Sequence, residues 1–109
     1  MTVFSNMQIS LRDGVKEQAV SSFRARRIFE ECAEAIPGFL WARLLDVQGA
    51  PNMIAVISEW SDVASFNAWV AHPVRDAQVE DLAHFLASEP QTQLCSPRRE
   101  FQRLGLENR

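Results

Sequence analysis

The stretch from Met53 to Pro73 constrains the rest of the chain most strongly. Its first half, Met53-Ile-Ala-Val-Ile-Ser-Glu-Trp60, is an apolar, β-branched run too short for a globular helix and bounded by turn residues, which predicts a strand. The period then changes. Ser61 or Asp62 can accept hydrogen bonds from the free amides of a following first turn, so either serves as an N-cap. Beyond the cap, Val63, Phe66, Trp69 and Val70 fall on one helix face at three- and four-residue spacing. Pro73 stops this helix, because His72 ahead of a proline is pushed out of the α region. A buried strand therefore runs straight into a short amphipathic helix that carries a second tryptophan.

Upstream, Thr2 to Leu11 alternates. Val3, Met7, Ile9 and Leu11 point one way, and Phe4, Asn6, Gln8 and Ser10 point the other. Arg12-Asp13-Gly14 ends this strand in turn chemistry. Val15 to Ile36 reads as one helix, with Val15, Ala19, Phe23, Ala25, Phe29, Cys32, Ala33 and Ile36 on its apolar arc. Arg26 and Glu30 interrupt that arc as an i,i+4 pair, either at its margin or lining a polar spot beneath the helix. Pro37-Gly38 terminates it. Phe39 to Val47 is a second strand, apolar on both faces apart from Arg43 and Asp46, and the turn residues Gln48 to Asn52 join it to Met53–Trp60 as a hairpin. Val74 to Ser88 predicts a further helix with Val74, Val79, Leu82, Phe85 and Leu86 inward and His84 opposite. Gln91 to Leu104 is a last extended segment, at an edge, bulged or divided at Pro97, which cannot donate to a ladder. Residues 105–109 form a polar tail.

The chain has 109 residues, enough for one domain, expected over residues 1–104, and too few for two. A domain this size leaves a thin core that a partner subunit would help. Its formal charge of −3 disfavours nucleic acid as a partner. The basic cluster Arg24, Arg26 and Arg27 is followed closely by Glu30, Glu31 and Glu34 and reads as a self-compensating helix surface. No apolar run approaches the roughly 18 residues that span a bilayer, and no signal peptide begins the chain, so no membrane is expected and a cytoplasmic location is. Cys32 and Cys95 are too few for a disulfide framework and lack metal spacing, so free thiols are expected.

The order strand, helix, strand, strand, helix pair, strand predicts an α+β, ferredoxin-like split β-α-β domain, a four-stranded antiparallel sheet with helices on one face. The middle strands are apolar on both faces, yet this topology covers only one. The uncovered face would be a large apolar patch, and association with a second copy removes it, so a homodimer is expected through the sheet face opposite the helices.

Certain residues then become familiar together. Pro37-Gly38-Phe39-Leu40 with Ala42-Arg43-Leu44-Leu45, Glu59-Trp60-Ser61, Phe66-Asn67-Ala68-Trp69 and His72-Pro73 resembles the antibiotic biosynthesis monooxygenase family from about Thr2 to Leu104. The resemblance implies a dimeric α/β barrel. It fits several chemistries: cofactor-free oxygenases of aromatic polyketides, quinol oxygenases, haem-degrading oxygenases and members of unknown role. The quinol-oxidising branch tends to carry histidines where this chain has Trp69 and Val74. The haem-degrading branch has a first-strand asparagine and a middle-helix tryptophan, matched here by Asn6 and Trp69, although Asn6 is one residue out of step relative to Gly14. That branch also needs a histidine where this chain has Val79. Polyketide oxygenases use tryptophan and polar side chains near a hydrophobic cleft, which Trp69 with Asn6 or Arg43 can supply.

On the residues alone Trp69 reads as core, Trp60 as packing, Asn6 as bonded within its sheet and Asn67 as solvent-facing. With the resemblance, Trp69 and Asn6 are the expected catalytic residues, and Arg43, Arg26, Trp60 and Phe66 the expected substrate contacts. No paired carboxylates, nucleophile with base, phosphate loop or metal cluster is evident. No cofactor or metal is expected. The implied function is cofactor-independent monooxygenation of an aromatic polyketide- or quinol-like molecule by molecular oxygen, in a cleft between sheet and helices. A non-enzymatic dimeric binding or accessory module is the alternative. A cleft lined by Trp69 and polar groups would favour the enzyme, and a filled interior the module.

Overall fold

A computed structural model describes residues 1–103. The polar tail expected over 105–109 lies outside these residues. Strand β1 (Val3–Ser10) is followed by helices α1 (Lys16–Ala25) and α2 (Ile28–Ala35), the hairpin β2 (Phe39–Asp46) and β3 (Met53–Trp60), helices α3 (Val63–Val70) and α4 (Pro73–Leu82), a 3-10 turn at Ala83–Phe85, and β4 (Gln91–Cys95). The sheet is antiparallel in the order β2-β3-β1-β4. The fold is α+β and ferredoxin-like, with helices on one face.

Alternation decides what each strand buries. Val3, Ser5 and Ile9 of β1 face the helices beside Trp60, Ser58 and Ile54 of β3, their register partners. Two clusters fill this layer. Ile9, Leu11, Ala19, Phe23, Ile54, Val56 and Phe85 form the larger one under α1 and α4. Val3, Cys32, Ile36 and Trp60 form the smaller, closed by Phe39, Phe66 and Trp69. On the opposite, uncovered face the register lines up Gln93, Asn6, Ile57 and Arg43 in one cross-strand row, and Cys95, Phe4, Glu59 and Trp41 in the next. Trp41 and Leu45 are each 37% exposed there, so this face is apolar over β2 and β3 and amide-rich over β1 and β4.

Several local expectations are corrected. The single helix Val15–Ile36 is two helices, broken where Arg27 adopts a left-handed φ of 59°. Past the break the apolar face is rotated, which leaves Ala25 and Ala33 exposed. Arg26 pairs with Glu31 and Asp81 rather than with Glu30, because at the break it points toward α4. The helix expected over Val74–Ser88 is shorter. It buries Gln78 and leaves Val79 41% exposed, since Gln78 closes over the break. Helix α3 buries no residue fully, and Val63 and Val70 sit outward. Strand β4 stops at Cys95, two residues before Pro97, and it is an edge strand.

Candidate functional site

The site is built where β3 hands over to α3. Asp62 caps α3, its carboxylate accepting from Ser65 N at 2.7 Å. That bond holds the Asp62 carboxyl below its usual range. Just before it, Ser61 N donates to the Gly38 carbonyl at 2.7 Å, and the Ser61 and Ser65 hydroxyls lie 3.3 Å apart. A Cβ on Gly38 would overlap Ser65 Oγ, so only glycine lets the start of α3 approach the Pro37-Gly38 turn this closely.

From this anchor α3 lays Phe66 and Trp69 on the smaller cluster. Trp60 is 3% exposed and lies between Phe39 and Phe66, with centroid distances of 5.1 and 5.5 Å. Its indole N–H donates to Ser5 Oγ at 3.0 Å. Trp41, on the uncovered face, donates its N–H to Glu59 at 2.6 Å. Trp69 differs. It is half-buried, and among the described residues nothing accepts its N–H. Its ring stacks on His72 at 5.9 Å and 25°. His72 caps α4, where Nδ1 accepts from Val74 N at 3.1 Å.

The structure brings Trp60, Phe66 and Trp69 together and separates the other candidates from them. Asn6 lies across the sheet from Trp69, on the uncovered face, and the helix-facing place beside it belongs to Ser5. Asn6 Oδ1 is buried without a hydrogen-bond partner among the described residues. It opens into a recess of about 330 Å³ lined also by Gln8, Ser10, Glu89, Gln91 and Gln93. Arg43 shares that face, two strand spacings or about 10 Å from Asn6, with its guanidinium 5.3 Å from the Trp41 ring centroid. Arg26 is at the helix break, bonded to Asp81 at 2.7 Å and to Glu31. Glu31 also accepts from Gln78 at 3.0 Å, and these bonds, Gln78 first, hold its carboxyl below the usual range. A second hollow, of about 400 Å³, lies at the β2–β3 turn between Lys16 and Pro51, away from Trp69. Val79 and His84 are both exposed.

Sequence reasoning passed over two neighbours of Trp69 and Trp60. His72 was legible only as the residue before a proline, although a side-chain acceptor at that position is also a cap signal. Ser5 falls in the helix-facing alternation with Val3 and Met7. Among the described residues, no group of three or more His, Cys, Asp or Glu side chains that could hold a metal ion is present, and no helix is long and apolar enough to cross a membrane.

Residues 3–87 match the antibiotic biosynthesis monooxygenase family. No curated protein matches the chain. Among solved structures it is similar to a mutant form of SnoaB, a cofactor-independent oxygenase from Streptomyces nogalater, with 21% identity over 91% of this chain and 95% of that one, and a TM-score of 0.72. A protein of unknown function from Nitrosomonas europaea is 19% identical over 93% of each chain, with a TM-score of 0.70. A conserved protein from Methanosarcina mazei Go1 is 12% identical over 86% of this chain and 90% of that one, with a TM-score of 0.72. At these identities the likeness carries the fold. The family match spans most of the sequence, and the chain belongs to the antibiotic biosynthesis monooxygenase family.

Proposed function

We propose that the chain is a cofactor-independent monooxygenase, working as a cytoplasmic homodimer on a small aromatic, polyketide- or quinol-like molecule held between α3 and the sheet. The observation that carries this reading is Trp69. Of the three tryptophans, it alone keeps an indole N–H without a partner among the described residues, at the edge of an aromatic cluster. Such a donor can hold a phenol or quinol oxygen while Phe66 and Trp60 flank the ring. Helix α3 is the element suited to admit the substrate. It has no charged residue and no fully buried one, so lifting it exposes less core than moving α1 or α4. In the reaction the substrate ring supplies the electrons. A ring C–H becomes C=O, one atom of oxygen enters the product and the other leaves as water.

SnoaB, of the same fold and a cofactor-independent oxygenase, supports the chemistry. The homodimer is supported by Trp41, Leu45, Ala55 and Ile57 on the uncovered sheet face. One observation favours the second reading, a non-enzymatic binding module: Phe39, Trp60 and Phe66 are in mutual contact, and neither recess described above borders Trp69.

A native mass-spectrometric screen of phenols, naphthols and anthrones, followed by oxygen uptake on those retained, separates the two. Oxygen consumption with no added metal or flavin, falling sharply in Trp69→Phe, is the expected result. Retention of ligands with no oxygen uptake by any of them would leave the binding module.

A further inference from the structure

We infer that His72 is a second donor in the Trp69 site and that the pair holds its ligand as an oxyanion, a phenolate or enolate. This rests on the proposed site and deepens it, because it names the ionisation state in which the substrate is bound.

The argument starts from the α4 cap. A backbone N–H can only donate, so the 3.1 Å contact from Val74 N requires a lone pair on His72 Nδ1. The neutral ring must then carry its proton on Nε2. No described residue accepts from that Nε2–H, and none accepts from Trp69 Nε1–H. The two rings are stacked 5.9 Å apart, and both are half-buried. Two uncommitted N–H groups therefore sit on adjacent rings at the α3–α4 junction, beside an aromatic cluster. His72, as cap of one helix, and Trp69, in the last turn of the other, are both fixed by backbone structure rather than by long flexible stems.

Paired N–H donors discriminate by charge. Hydrogen bonds to an ionised oxygen are roughly twice as strong as those to a neutral one, so the pair favours the deprotonated form of a phenol. That form is also the electron-rich one from which oxygen can take electrons. Asp62 and Asp76 stand at the N-termini of α3 and α4, Asp62 as a cap and Asp76 in the first turn, and Arg75 pairs with Asp76. No carboxylate is bonded to either ring donor.

The probe is 4-nitrophenol, whose anion is coloured and which need not be oxidised to report binding; 4-nitroanisole, which cannot ionise, is the control. The protein should bind 4-nitrophenolate and lower its apparent pKa, and should bind the anisole at least about tenfold more weakly, the scale of one charge-assisted hydrogen bond. His72→Asn keeps a good capping side chain and should keep the melting temperature, yet lose about tenfold in phenolate affinity while anisole binding changes little. Nitrogen-15 spectra of the ring should show an unprotonated Nδ1 and a protonated Nε2 that shifts on phenolate binding. Equal affinity for phenolate and anisole, equal losses of both in His72→Asn, or a protonated Nδ1 in the neutral ring would each overturn the inference. Phenolate binding without oxygen uptake by any substrate would sink the monooxygenase reading and leave the oxyanion site standing.

Discussion

Trp69 and Trp60 lie in the same aromatic cluster, and what separates them is the partner of one N–H. Trp60 spends its donor on Ser5 at 3.0 Å, whereas Trp69 keeps its own. Trp69→Phe preserves most of the apolar volume and should leave the melting temperature close to the parent while abolishing most turnover. Trp69→Ala should cost less than the about 3–5 kcal/mol of a fully buried aromatic truncation, because the ring is only half-buried. Parent-like turnover in Trp69→Phe would reduce the residue to packing. Gly38→Ala is expected to destabilise by about 1–3 kcal/mol in urea unfolding, since Ser65 and the first turn of α3 must give way. The cysteines should separate as cleanly. Burial pushes the Cys32 thiol up to about 12, while Cys95 is exposed. A thiol reagent at pH 8 should titrate one cysteine in the native protein and two after denaturation; two fast thiols in the native state would contradict the packing of α2 on the sheet.

At the scale of elements, α3 is held by a cap and α2 by a polar clasp, and both are acid-sensitive. Asp62 and Glu31 have folded pKa values below their ordinary ones, through bonds from Ser65 and Gln78 respectively. A depressed carboxyl contributes stability in full above the ordinary range near about 4, and loses it as pH falls through the lower folded value. Melting temperature should therefore fall between pH 5 and 3, and Asp62→Asn, which still caps, should flatten that fall. A parallel fall in the variant would show that Asp62 does not contribute. Gln78 is 5% exposed and bridges Glu31 and the Ile28 carbonyl at 3.0 and 3.2 Å. Gln78→Leu leaves both acceptors without that donor and should cost about 1–3 kcal/mol. The strands were legible because a period of two is written in neighbouring residues. The break at Arg26-Arg27 was not, because what holds it there, Asp81 and Gln78, comes from some fifty positions further along. The same limit governs Gln78 and Val79, whose exchange of inside and outside follows from the clasp.

For the whole molecule, the two faces of one sheet divide the candidate residues. Alternation in β1 already set Asn6 opposite Val3 and Ile9, and the structure follows alternation: Asn6 and Arg43 share the uncovered face, and Trp60, Phe66 and Trp69 the covered one. The resemblance had drawn Asn6 toward Trp69, a pairing that residue order alone does not require. His72 escaped notice because its ring stacking and its cap are tertiary and local-geometry facts that composition does not carry. The uncovered face should bring two copies together. Light scattering at micromolar concentration should give twice the chain mass, and replacing Ile57 in the middle of that face by Lys should yield monomers. A parent protein that is monomeric under those conditions would place the apolar face elsewhere in the account. The central claim, oxygen insertion without a resident cofactor, is tested most directly with isotopically labelled oxygen. The substrate selected by the ligand screen is incubated with the protein under 18O2, with chelator present and no flavin. One labelled oxygen per product molecule, with the other in water, is the predicted outcome; product free of label, or hydrogen peroxide as the only fate of the oxygen, would contradict it.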